Sequence, residues 1–294
     1  MSLSLNPLIV RELRGGLRSG RRITLLTFCL LVISLFFLGI YLITAASLDS
    51  SNGGAGVAVG SAFFPMVVGV ELFLICVLTP AQTAGAIVNE RERQTYDVLL
   101  VTPLSPRQIV LGKLGASLAY VLLLLIAALP IESLAFLMGG VDPMELLFGS
   151  LIQLATLALF GSLGLWSSAV FRGNRASTGF AYAATGLLTL GLPVLALFAS
   201  PLMRTVSPAL LQQPPAWLIY FGEALAASNP WLTAGLTEAQ LQAGLPLFWF
   251  PETLGKTTVM LPGPWLVFLL VYTAGTLLCL VATARAVRRR RAGA

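Results

Sequence analysis

Six apolar runs, each long enough to cross a bilayer, constrain this chain more than any other feature. They lie at about Ile23 to Ala46, Ala62 to Gln82, Ile109 to Met138, Met144 to Phe171, Thr178 to Met203 and Pro264 to Ala284. A hydrocarbon core about 30 Å thick needs roughly 20 apolar residues of helix at about 1.5 Å each. The balance of 57% apolar to 10% charged residues over 294 positions points the same way, because soluble domains carry far more charge. The expected fold is an all-α integral membrane protein with six transmembrane helices and no soluble domain. Pro130 is expected to kink the third span.

The cations set the orientation, since Lys and Arg are retained on the cytoplasmic side. With both termini inside, the inner segments hold Arg11, Arg14, Arg18, Arg21, Arg22, Arg91, Arg93, Arg107, Lys113, Arg172, Arg175, Arg285 and Arg288 to Arg291. Only Arg204 and Lys256 remain outside. Adding or removing one crossing would push the Arg288 to Arg291 run outward, so six spans with cytoplasmic termini fit best. The whole chain, 1–294, then forms one transmembrane domain.

The same residues exclude several function classes. The net charge of +6 comes from arginines at the ends of apolar runs, not from one basic soluble face, so nucleic acid is not an expected partner. The chain has no histidine, and Cys29, Cys76 and Cys279 lie apart within apolar runs. A metal site or a Ser-His triad is therefore not expected. Neither Gly112-Lys113 nor Gly255-Lys256 is preceded by the glycine that G-x-x-x-x-G-K requires, so no nucleotide is expected on this chain. The run from Ile23 to Ala46 is too long for the apolar part of a signal peptide.

Residues 1–22 place Leu5, Leu8, Ile9, Leu13 and Leu17 at mostly three- and four-residue spacing with arginines between them, the pattern of an interfacial amphipathic helix. The segment 204–263 between spans five and six is too long to lack structure of its own. Within it, Thr237 to Ala243 is expected to form a short helix with Thr237 as cap and Gln240 completing a capping box. Its tryptophans suit the headgroup level.

Between spans two and three lies the segment 83–108, a charged insert on the expected cytoplasmic face. Glu90, Arg91, Glu92 and Arg93 are followed by Thr95, Tyr96, Val98, Leu99 and Leu100, and then by the turn Thr102-Pro103-Leu104-Ser105-Pro106. Charge next to an apolar Tyr-x-Val-Leu-Leu run suits docking onto a protein partner, with the charges fixing orientation and the apolar residues supplying grip.

In this order of charge cluster, Thr95, Leu pair, Thr-Pro-Leu-Ser turn and Gly112-Lys113, the chain resembles the permease subunits of ABC transporters of the type-2 exporter class. It departs from their pattern at Gln94, where a glycine is usual, and this is expected to matter little. The resemblance implies that Glu90 to Leu100 is a coupling helix, with Glu90, Arg91, Glu92, Arg93, Thr95, Tyr96, Leu99 and Leu100 contacting a separate ATP-binding subunit. It further implies ATP and Mg on that subunit, pairing of the permease as a homodimer or heterodimer, and residence in the cytoplasmic (inner) membrane of a prokaryote. The cargo is not implied.

Two carboxylates, Glu71 and Glu132, fall inside spans. They either line a path or form interhelical hydrogen bonds, with Tyr41, Gln153 and Tyr182 as available partners, and the length of the third run would also let Glu132 reach the outer headgroups. Small residues of the fifth span, among them Gly179, Ala183, Gly186 and Gly191, suit close helix packing. Beside the exporter stands a second reading, an ATP-driven membrane scaffold that acts mechanically on an extracytoplasmic partner through the outer loop. An intramembrane enzyme lacks candidate catalytic groups.

Overall fold

The computed structural model describes residues 20–47, 55–95, 105–137, 139–191, 193–195, 198, 215–254 and 257–291. The amphipathic segment 1–19, the residues from Tyr96 to Leu104 and most of 192–214 lie outside the described residues. In chain order the elements are α1 (Gly20–Ser47), α2 (Ala55–Thr83), α3 (Val88–Glu92), α4 (Pro106–Leu137), α5 (Pro143–Val170) and α6 (Asn174–Gly186). A π-helical turn at Leu187–Gly191 follows, then α7 (Ala216–Ala226), α8 (Pro230–Gln242), strands β1 (Trp249–Leu254) and β2 (Thr257–Pro262), and α9 (Pro264–Arg291).

Five helical stretches are long and apolar enough to cross a membrane: Gly60–Glu92, Pro106–Leu137, Pro143–Val170, Asn174–Leu195 and Pro264–Arg290. In α1 the apolar stretch Thr27–Ile43 is shorter. The chain is a multi-pass helical membrane protein. Pro130 lies inside an unbroken α4.

The bundle is built around α5, whose apolar window is 61% buried within the protein against 17% for α9. Its sequence explains that position. Asp142 caps the helix, its carboxylate accepting the Met144 N–H at 2.7 Å, and Pro143 occupies the first helical position. The preceding turn uses Gly139 at φ 80°. Farther along, small residues admit neighbouring helices. A Cβ added at Gly164 would stand 2.0 Å from Thr83 Oγ1, so α2 reaches α5 only because the residue is glycine. The main core gathers Phe63, Leu72 and Ile75 of α2, Val121 of α4, Ile152 and Phe160 of α5, and Phe268 and Tyr272 of α9. A second core, at the end of the bundle that carries α3, joins Ile87, Ile109, Val110, Leu165, Ala169 and Val287.

The segment before α9 has structure, as expected, but not the expected start. α8 begins at Pro230, not at Thr237: the Asn229 carboxamide oxygen accepts the N–H groups of Trp231 and Leu232 at 3.0 and 3.1 Å. The Asn-Pro pair is the stronger start signal, because it joins a cap to a preset φ. Thr237 is instead a buried residue in mid-helix, and Gln240 donates to the carbonyls of Pro246 and Leu247. An antiparallel β-hairpin, Trp249 opposite Pro262 through Leu254 opposite Thr257, adds to the helical fold an element that the apolar runs do not reveal. This layer is fixed to the bundle: Trp231 Nε1 donates to the Gly69 carbonyl, Tyr272 Oη to that of Ser228, and Asn229 Nδ2 to that of Thr189 in the π turn.

Among the small residues of the fifth span, an added Cβ at Gly179 or Gly186 meets nothing, and Ala183 is exposed. At Gly191 the added Cβ would meet only the side chain of Leu187 in the same turn.

Candidate functional site

The charged insert folds back onto the bundle as soon as α2 ends. After Thr83 the chain turns through residues 84–87 into α3, and each step of the turn is tied to another helix. The Ser177 hydroxyl of α6 donates to the Ala84 carbonyl at 2.8 Å and lies 3.0 Å from the hydroxyl of Ser167. Ser168 Oγ of α5 accepts the N–H groups of Ile87 and Val88 at 2.8 and 2.9 Å. These are donors at a helix start, which have no partner within the helix. Ile87 and Val88 are themselves fully buried, Ile87 within the second core.

The four charged residues divide. Glu90 Oε1 accepts from Lys113 Nζ at 2.5 Å, with the lysine 5% and the glutamate 20% exposed. Arg91 donates through Nη1 to the Phe171 carbonyl at 2.8 Å and through Nη2 to that of Ala169 at 3.2 Å. It thereby satisfies acceptors at the C-terminal end of α5, where the helix dipole also favours a cation. Glu92 Oε1 accepts the Asn174 N–H at the start of α6, 2.9 Å away, where a carboxylate is favoured for the converse reason. Three of the four therefore hold α3 to α4, α5 and α6, while Arg93 is exposed.

Gln94 stands where the resemblance to type-2 permeases expects a glycine. α3 ends in a Schellman arrangement: the Thr95 N–H bonds to the Glu90 carbonyl at 2.9 Å, and the Gln94 N–H to that of Arg91 at 3.1 Å. The arrangement needs a left-handed residue after the cap, and Gln94 has φ 57°. Glycine adopts such a backbone at lower cost than glutamine. Thr95 Oγ1 adds a bond to the Glu90 carbonyl at 3.2 Å. Tyr96, Leu99 and Leu100 lie outside the described residues.

The two carboxylates within the spans come together. Gln153 Nε2 of α5 donates to Glu71 Oε2 of α2 at 2.5 Å, and Glu132 of α4 lies against both side chains. The exposures of the three are 1%, 3% and 4% for Glu71, Glu132 and Gln153. Glu132 is thus inside the bundle, because α4 turns this face toward α2 and α5. Of the partners considered for Glu71, Gln153 is the one found, whereas Tyr182 donates to the Val77 carbonyl.

Ser168, Ser167, Ser177 and the pairing of Lys113 with Glu90 escape a reading of the sequence. A serine in an apolar helix usually bonds to its own preceding turn, as Thr156 does to the Ile152 carbonyl, and nothing local marks one that reaches another helix. Lys113 does carry a signal, since a lysine between apolar neighbours near the end of a span calls for a buried acidic partner.

The family model described as ABC-2 family transporter protein matches residues 7–281, nearly the entire chain. No curated protein matches the chain.

Proposed function

We propose that this chain, which belongs to the ABC-2 transporter family and is a permease subunit of an ABC transporter, works as an exporter driven by a separate ATP-binding subunit seated under α3. The observation that carries this reading is the attachment of α3 to three spans at once, through Lys113, Ser168, Arg91 and Glu92. An element so held cannot move alone, so a push delivered to it tilts α4, α5 and α6 together. The exposed end, Glu92 to Thr95, leads into the segment with Tyr96, Leu99 and Leu100, which supplies the grip. In this reading the end of the bundle with α3 and both termini faces the cytoplasm, six spans cross the inner membrane of a prokaryote, and ATP and Mg are held by the partner.

Export by alternating access needs a second permease, the same chain or a related one. The exposed small residues Gly179 and Ala183 on α6, with open space at the half-buried Gly186, support close approach of another helix there. Glu71, Glu132 and Gln153 serve as a polar tie between α2, α4 and α5, because each has its neighbours within the bundle. The decisive experiment reconstitutes the permease with its ATPase in vesicles. Leu99→Asp and Tyr96→Ala are expected to leave ATP hydrolysis running while transport falls at least tenfold. Normal transport in both variants would sink the coupling assignment.

One feature favours a second reading, an ATP-driven scaffold acting on an extracytoplasmic partner. The outer layer of α7, α8 and the hairpin is tied to α2 and α9 and exposes Trp217, Phe221, Phe248 and Trp249. ATP-dependent change in this layer without flux of any substrate would select that reading.

A further inference from the structure

A cavity of about 580 Å³ opens between the first turn of α4 and the last turns of α9. Arg107 enters it from α4, and Arg285 and Arg288, one turn apart on a single face, from α9. Below them its walls are apolar, including Leu111, Leu280 and Val281. Among the described residues none of the three arginines is paired with a carboxylate. Of the acids of the cytoplasmic insert, Glu90 and Glu92 are engaged with Lys113 and Asn174, and Asp97 lies outside the described residues.

From this arrangement we infer that the cavity is a binding site for one anionic phospholipid of the cytoplasmic leaflet. Among the described residues these three exposed guanidinium groups have no carboxylate partner, and a phosphate diester accepts their paired N–H groups in matching geometry. The second half of the site specifies a lipid. Leu111 lies four residues deeper in α4 than Arg107, and Val281 four residues deeper in α9 than Arg285, about 6 Å along each helix. Leu111 is 55% and Val281 46% exposed, so an acyl chain reaches apolar surface directly below its headgroup. The volume suits a headgroup with its glycerol and first methylenes, within the usual range for ligand sites. A zwitterionic lipid would bring an ammonium among three arginines, so the site selects net negative charge.

The leaflet rests on the proposed orientation, but binding does not depend on it, so the test separates the two. The full-length protein in neutral detergent is titrated with phosphatidylglycerol, phosphatidylcholine or inorganic phosphate, reading bound lipid by native mass spectrometry and the thermal unfolding midpoint. Phosphatidylglycerol is expected to bind at one tight site and raise the midpoint, while phosphatidylcholine binds at least tenfold more weakly. Arg107→Gln, Arg285→Gln and Arg288→Gln should each weaken binding about fivefold, and together on the order of 100-fold. Arg285→Lys with Arg288→Lys keeps the charge and should keep the preference, which separates recognition from a failure to fold. Equal binding of both lipids, unchanged binding in the triple variant, or full stabilisation by inorganic phosphate would overturn the inference. So would loss of the lipid when the ATP-binding subunit is added, which would assign the cavity to a protein partner.

Discussion

Ser168 Oγ, on a helix far from α3 in sequence, accepts the N–H groups of both Ile87 and Val88, at 2.8 and 2.9 Å. One hydroxyl thus fixes the point where a membrane span gives way to the element proposed to receive the ATPase. Replacing Ser168 with Ala leaves two buried donors unsatisfied, each worth about 1 to 3 kcal/mol. Ser168→Ala should lower the unfolding midpoint and increase hydrogen exchange at Ile87 and Val88 ahead of the rest of the protein. Unchanged exchange there would mean that the contact carries no weight.

The Lys113–Glu90 pair should behave as a buried ion pair. Lys113→Met leaves the Glu90 carboxylate without its cation in a largely dry site, at a cost of about 3 kcal/mol or more. Lys113→Met combined with Glu90→Leu should recover most of that loss. A double-mutant cycle by thermal or denaturant unfolding measures the coupling, and purely additive losses would argue against the pair.

Gln94 should respond in the opposite direction from most positions. At φ 57° its side chain works against the Schellman turn, so Gln94→Gly is expected to stabilise the protein by about 1 kcal/mol. Gln94→Val, branched at Cβ, should destabilise it. If Gly lowered the unfolding midpoint, side-chain contacts of Gln94 would have to outweigh the strain.

Gly164 sets the approach of α2 to α5. An added methyl group would collide with the Thr83 side chain, so Gly164→Ala should cost about 1 to 3 kcal/mol through forced separation of the helices. Thr83→Ala in the same chain removes the nearest atom and should restore part of the stability. The pair can be ranked by midpoints in the same detergent, and a neutral Gly164→Ala would show that the crossing tolerates a wider gap.

Glu238 in the outer layer gives a pH signature. Burial first, then the neighbouring Glu145 charge, push its carboxyl up to about 6 from the ordinary 4.5, against a bond from Gln242. The folded chain therefore holds this proton more tightly than the unfolded one. Its contribution to stability is complete below about pH 4.5 and is lost as pH rises through 6. Glu238→Gln should remove that slope between pH 4.5 and 6 and leave a more stable protein at neutral pH, as read from unfolding midpoints across the range.

The site was partly legible in the chain. Glu90 to Arg93 identify themselves because charge next to an apolar span needs a partner, but the pattern cannot say which partner. Complementary charge for a second protein and complementary charge for the ends of α5 and α6 look alike in sequence. The structure turns three of the four inward. Glu71 and Glu132 were likewise visible as costly intramembrane acids, but their convergence with Gln153 depends on how α2, α4 and α5 are rotated, and side chains far apart in sequence leave no local trace of that.

Composition and charge along the chain settle the class of the molecule. Apolar runs of spanning length and arginines at their ends follow from transfer free energies, which act on each segment independently of its neighbours. The signals that start α5 at Asp142-Pro143 and α8 at Asn229-Pro230 are equally local, although a reading of the sequence does not anticipate the Asn-Pro pair and expects Thr237 in its place. Packing of the whole bundle decides that α5 is the central helix, that Ser168 and Lys113 hold α3, that the segment before α9 forms a hairpin, and that Arg107 lies with Arg285 and Arg288 around one cavity. Each of these is a relation between helices whose apolar surfaces are interchangeable to lipid, so close packing and a few buried polar bonds select among them. Such selection is a property of the assembled bundle and of no single span.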